Sequence, residues 1–168
     1  LKAYLHIDQT PKLTVDDSWQ YGLFGQKQAQ FKRLLLDIQT LLLENKQAAT
    51  LNDLPSNIRY KLVSLWGDFI ELQNSNTYSV KLVRLALKRP ALQKYFLPIQ
   101  RLDYLLWYVE NYINHDEDYR DAIRQVDCPA TFFIGRESTL YNETGQTIIA
   151  NSLANSKMVY FEHSGHTP

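Results

Sequence analysis

The chain has 168 residues, enough for one domain or two small ones and for a real hydrophobic core. Its 18 basic and 18 acidic residues cancel, which removes any electrostatic argument for nucleic acid or an anionic membrane as partner. The lone cysteine, Cys128, excludes an intrachain disulfide and reads as a buried structural thiol ahead of Pro129. No stretch approaches the roughly 18 consecutive apolar residues of a membrane span. No basic-then-apolar leader opens the chain. A cytoplasmic setting is the default.

Leu1 to Asp8 is a strand candidate, and Gln9-Thr10-Pro11 ends it, since proline biases the residue before it away from helix. A polar and aromatic loop follows through residues 16–25. From about residue 26 the period changes to 3.6, with Phe31, Leu34, Leu35, Ile38, Leu41 and Leu42 on one face. A second helix starts near Pro55, with Ile58, Leu62, Leu65, Phe69 and Leu72 as its stripe. A third covers about 77–89 and stops at Pro90, and a short helical turn precedes Pro98. A fourth carries Leu102, Leu105, Leu106, Val109 and Ile113, and a short one covers about 116–126. Ala130-Thr131-Phe132-Phe133-Ile134 is then a continuous apolar run, as for a strand buried on both faces of a parallel sheet. A helix over about 142–154 and a strand over about 157–161 complete the pattern. The chain opens on an apolar strand without a start methionine and stops just past a motif, so it reads as a cut piece of a longer protein.

The layout is strand, long helical insertion, strand, helix, strand. The last six residues are His163-Ser164-Gly165-His166-Thr167-Pro168. A Gly-His pair beyond the last strand would turn at Gly165, which lacks a Cβ, and project His166 where open α/β sheets place their chemistry. Together these features resemble the carboxyl-terminal part of an α/β-hydrolase of the esterase, lipase and haloperoxidase-like kind. The resemblance covers the whole chain. It implies an α/β fold with a three-stranded parallel sheet remnant and a large helical cap inserted after the first strand. Residues 1–25 would be the first strand and connecting loop, 26–115 the cap, and 116–168 the carboxyl-terminal part of the core.

The same resemblance assigns His166 as the base of a nucleophile–His–acid triad, for which a side chain titrating near neutrality is suited. It leaves two candidates for the acid. The family's usual Gly-x-x-Asp after the penultimate strand corresponds to Gly135-Arg136-Glu137-Ser138, with serine at the acid's place and Glu137 one position early. Some hydrolases and haloalkane dehalogenases carry the acid at the end of the preceding strand, where this chain has Asp8. No Gly-x-Ser-x-Gly occurs, so the nucleophile is missing and the chain alone is expected to be inactive. Trp19, Tyr21 and Phe24 would line an acyl pocket or anchor the cap to the sheet. Trp66 and Trp107 read as core residues of the insertion.

A small ester-like substrate is implied for the parent, with no metal, no organic cofactor, no nucleic acid and no membrane as partner. The alternatives are a haloalkane dehalogenase-like parent or a non-catalytic helical interaction module. The bare edge of the first strand also suggests a homodimer formed by strand pairing.

Overall fold

The computed structural model describes residues 2–74, 77–89, 91–92, 95, 101–115 and 117–166. Of the helical turn expected before Pro98, Ala91, Leu92 and Tyr95 are described and are helical, and the rest lies outside the described residues, as do Leu1, Pro90, Asp116, Thr167 and Pro168.

The chain divides into two compact units, residues 1–28 with 115–168, and residues 29–114. The first holds three strands, β1 (Tyr4–Ile7), β2 (Ala130–Gly135) and β3 (Ser156–Phe161). They are parallel in the order β1-β2-β3, with Tyr4 opposite Ala130 and Ala130 opposite Ser156. The two central helices of this unit are short. One, Arg120–Arg124, follows the bridge between Lys12 and Asp118, and the other, Glu143–Asn151, joins β2 to β3. That second helix begins where Asn142 Oδ1 accepts from Thr144 N–H at 2.8 Å, and Glu143 in its first turn suits the positive helix end.

The core lies on one face of the sheet. Phe132, Ile134 and Ile149 are fully buried, and Trp19, Ile123, Ala130, Ala150 and Leu153 pack with them. Burying each of the large side chains contributes about 1.5–3 kcal/mol. The other face of the strands differs from the expectation of a sheet buried on both sides. Leu5 and Ile7 are exposed and Phe133 is half-buried. Every residue of the 130–134 run is apolar or threonine, so its composition does not reveal which face is open.

In the second unit, the longer helices among the described residues are Gln28–Leu43 (beginning in the first unit), Ser56–Gln73, Thr77–Leu87 and Leu102–Ile113. The apolar stripe read on the first of these is buried along its length, from Phe31 to Leu42. Phe31 stacks on Phe69 at 6.0 Å and meets Tyr112 edge-on at 5.9 Å. Arg84 binds Asp68 at 2.5 Å and also Glu71, tying the third of these helices to the second. Trp66 is buried as expected of a core residue, but Trp107 is not. It is 65% exposed, because Leu102, Leu105 and Val109 take the buried stripe and residue 107 falls on the opposite side. No described helix is long and apolar enough to cross a membrane.

One buried histidine belongs to this framework. His6 Nε2 lies 3.0 Å from the carbonyl of Gln9, so it must donate, and Nδ1 accepts from the Tyr4 hydroxyl at 3.0 Å. The ring also packs on Phe132 at 4.6 Å. Burial lowers its pKa from the ordinary 6.5, outweighing the carbonyl of Gln9 and the charge of Asp8. The unfolded chain therefore binds this proton more readily than the folded one, so His6 holds its stability above pH 6.5 and loses it below. Unfolding free energies measured across that range should fall on acidification, and His6→Gln should flatten that part of the profile. An unchanged profile in the variant would exclude His6 as the source.

Candidate active site

Asp8 follows β1 directly and adopts a left-handed φ of 35°. That region is uncommon for a residue with a Cβ, though Asp and Asn tolerate it better than most. Strained backbone of this kind persists only where its surroundings fix it. Here they do. The Asp8 N–H donates to Phe133 O at 2.8 Å, continuing the β1–β2 ladder. The carboxylate is fully buried. Its Oδ1 accepts from Gln146 Nε2 at 2.8 Å and from the Gly135 N–H at 3.4 Å. Its Oδ2 accepts from the Ser138 hydroxyl at 2.7 Å and lies 3.0 Å from His166 Nδ1.

An ionised carboxylate can only accept, so facing His166 it fixes the tautomer. Nδ1 carries the proton, and Nε2 is left as an acceptor on a ring whose side chain is 42% exposed. The Tyr141 ring borders the imidazole at 5.4 Å. The arrangement is a partly open imidazole oriented by a buried carboxyl group.

Glu137 stands elsewhere. It is exposed, and its carboxylate lies 3.5 Å from His163, an almost fully exposed ring. The structure thus brings His166 together with Asp8 and leaves Glu137 with His163 on the surface. Trp19 is part of the sheet's core, its indole N–H donating to Thr10 Oγ1 at 3.1 Å. Tyr21 packs edge-on against Trp19 at 5.4 Å. Phe24 is buried with a φ of 64°, and its N–H donates to Leu140 O at 2.8 Å. These three residues fasten the loop between β1 and the following helix to the rest of the first unit. Among the described residues no group of His, Cys, Asp and Glu has the arrangement of a metal site.

The glycine that the site requires is not the one the sequence pointed to. Gly165 has no left-handed φ, and a Cβ built on it would meet nothing within 4 Å. Gly135 is the restricted position. A Cβ there would lie 2.1 Å from Gly165 O and 2.9 Å from Ser164 O. The segment that carries His166 runs directly over the end of β2, held by the Glu137 N–H donating to Ser164 O at 3.0 Å.

Two residues around Asp8 escaped the reading of the sequence. Ser138 occupies the place expected of an acid, so its serine reads as a loss. Gln146 carries a weaker mark, a polar residue on the same helical face as Ile149 and Leu153.

Neither a protein-family model nor a curated protein sequence matches the chain. Solved structures do match it. An esterase from Exiguobacterium antarcticum superposes with a TM-score of 0.52 at 14% identity, over 98% of this chain and 50% of the esterase. A hydrolase from Oleispira antarctica superposes with a TM-score of 0.55 at 14% identity, over 98% of this chain and 49% of the hydrolase. Both have the α/β-hydrolase fold, and that is the fold of this chain. The chain spans about half the length of these structures.

Replacing Gly135 by alanine should push the His166 segment off the strand end and cost about 1–3 kcal/mol in denaturant unfolding, as overpacking does. Gly165→Ala should stay within about 0.5 kcal/mol of the unsubstituted chain. Equal effects of the two would contradict the close approach at Gly135.

Proposed function

We propose that this chain is the carboxyl-terminal half of a hydrolase that cleaves an ester or related bond. In this reading it supplies the base, His166, and the acid, Asp8, of a catalytic triad. The nucleophile lies in polypeptide that this sequence does not contain. The observation that carries the reading is the contact of His166 Nδ1 with the buried carboxylate of Asp8. The fold supports it but does not by itself imply an activity.

The chemistry follows from the pair. The outward Nε2 takes the proton of the attacking hydroxyl as the covalent acyl-enzyme forms. Asp8 stabilises the resulting imidazolium. Nε2 then returns the proton to the leaving oxygen, and a water molecule repeats the cycle to release the acid. Glu137 takes no part, being exposed and paired with His163. Trp19 and Tyr21 serve as anchors of the loop after β1. In the same reading residues 26–115 are the helical cap of the parent enzyme. Without the nucleophile and its oxyanion hole, the chain alone turns over no ester at an enzymatic rate.

The test is kinetic. In the full-length enzyme, His166→Ala and Asp8→Asn should each lower kcat for a nitrophenyl ester roughly a thousand- to ten-thousand-fold. Glu137→Gln should leave kcat within about twofold. Loss of activity in the Glu137 variant with retention in the Asp8 variant would overturn the assignment. So would enzyme-like turnover by the chain alone that disappears on removing His166.

A further inference from the structure

The geometry points to Ser138 and Gln146 as positioning residues that set the orientation of the Asp8 carboxylate, and through it the direction and tautomer of His166. The inference rests on the reading of His166 and Asp8 as base and acid, and goes beyond it by naming what holds the acid.

A carboxylate on a short side chain has one soft rotation left once its backbone is fixed, the twist of its plane. In an otherwise apolar interior that twist decides which oxygen meets the base. The two oxygens of Asp8 have different partners. Oδ1 is held by Gln146 Nε2 at 2.8 Å with the Gly135 N–H at 3.4 Å, which leaves Oδ2 for the ring. Oδ2 accepts from Ser138 Oγ at 2.7 Å on one side, leaving its remaining acceptor direction for His166 Nδ1. Each anchor is itself located. Gln146 is buried in the helix Glu143–Asn151, and its backbone N–H donates to the carbonyl of the capping Asn142 at 3.3 Å. The Ser138 hydroxyl accepts from the Tyr141 N–H at 3.3 Å, and the Tyr141 ring is the one that borders His166. Ser138 therefore connects to both sides of the imidazole contact.

A further detail separates orientation from plain packing. Gln146 Oε1 is buried and has no hydrogen-bond partner among the described residues. Burying an unsatisfied amide oxygen is unfavourable, and an apolar residue of similar shape would avoid it. What glutamine provides here that an apolar residue does not is the Nε2 donor, which reaches Asp8 Oδ1 at 2.8 Å and the carbonyl of Tyr141 only at 3.5 Å. Ser138 makes the same argument by position. A carboxylate at 138 would set two negative charges together, whereas the hydroxyl donates to the one already present.

The experiment is proton–nitrogen NMR of the isotope-labelled chain, read through long-range correlations that report which ring nitrogen of His166 carries the proton at alkaline pH. The unsubstituted chain should show the Nδ1–H form, against the Nε2–H form that a free imidazole favours. Gln146→Met and Ser138→Ala should each move His166 towards the free-ring pattern, while Ser138→Thr, which keeps the hydroxyl, should retain the Nδ1–H form. The backbone amide fingerprint of each variant checks that it is folded. If one alanine or methionine variant fails to fold, the other one with Ser138→Thr still decides the matter. Persistence of the Nδ1–H form in folded Gln146→Met and Ser138→Ala overturns this inference and leaves the His166–Asp8 pairing standing. Absence of that form in the unsubstituted chain overturns both.

Discussion

The buried carboxylate of Asp8 joins the carboxyl ends of all three strands. It sits just past β1, accepts from the N–H of Gly135 at the end of β2, and meets the histidine that follows β3. Its remaining partners come from the turn after β2 and the helix that follows. Burying a charge without partners costs several kcal/mol. The folded state therefore depends on delivering these four donors together, and delivering them aligns the strand ends. The left-handed backbone at Asp8 belongs to the same constraint, since a turned residue is what lets a side chain at a strand end point back across the sheet edge.

The approach of the His166 segment is set sterically as much as electrostatically. Gly135 leaves room for the backbone of Ser164 and Gly165 to cross the end of β2. Hydrogen bonding from the Glu137 N–H then holds that crossing. Glu137 contributes its backbone to the site while its side chain faces solvent, which explains how a residue adjacent in sequence to the expected acid ends up outside the constellation. His6, two residues earlier within β1, fastens the chain after Asp8 through the carbonyl of Gln9. Two histidines thus support one loop region in opposite ways, one buried and neutral, one open and facing the acid.

Much of the fold was legible in the sequence because its signals are local, set by period, run length and flanking residues. The stripe from Phe31 to Leu42 carries a helical repeat, the run at 130–134 has the length of a strand between Pro129 and Gly135, and order along the chain placed the insertion between the first two strands. The exposed face of the sheet was not legible, since Phe133 and Ile7 are as apolar as Phe132 and only the packing distinguishes them. Trp107 illustrates the same limit. Its hydrophobicity pointed inward, but the helical angle set by Leu105 and Val109 pointed it outward. At the site, His166 and Asp8 could be singled out by residue type and place. The choice between Asp8 and Glu137 could not, because it depends on the direction of a side chain after a turn. The roles of Gly135 and Gln146 could not be read for a further reason, as one acts by having no side chain and the other through an amide donor on an otherwise apolar helix face.

The central claim is that Asp8 and His166 are energetically coupled in the folded chain. A double-mutant cycle measures this directly. Unfolding free energies of the unsubstituted chain, Asp8→Asn, His166→Gln and the double variant should give a coupling of about 0.5–3 kcal/mol, as for residues in one hydrogen-bond network. Additive effects of the two substitutions, with a coupling indistinguishable from zero, would contradict the account.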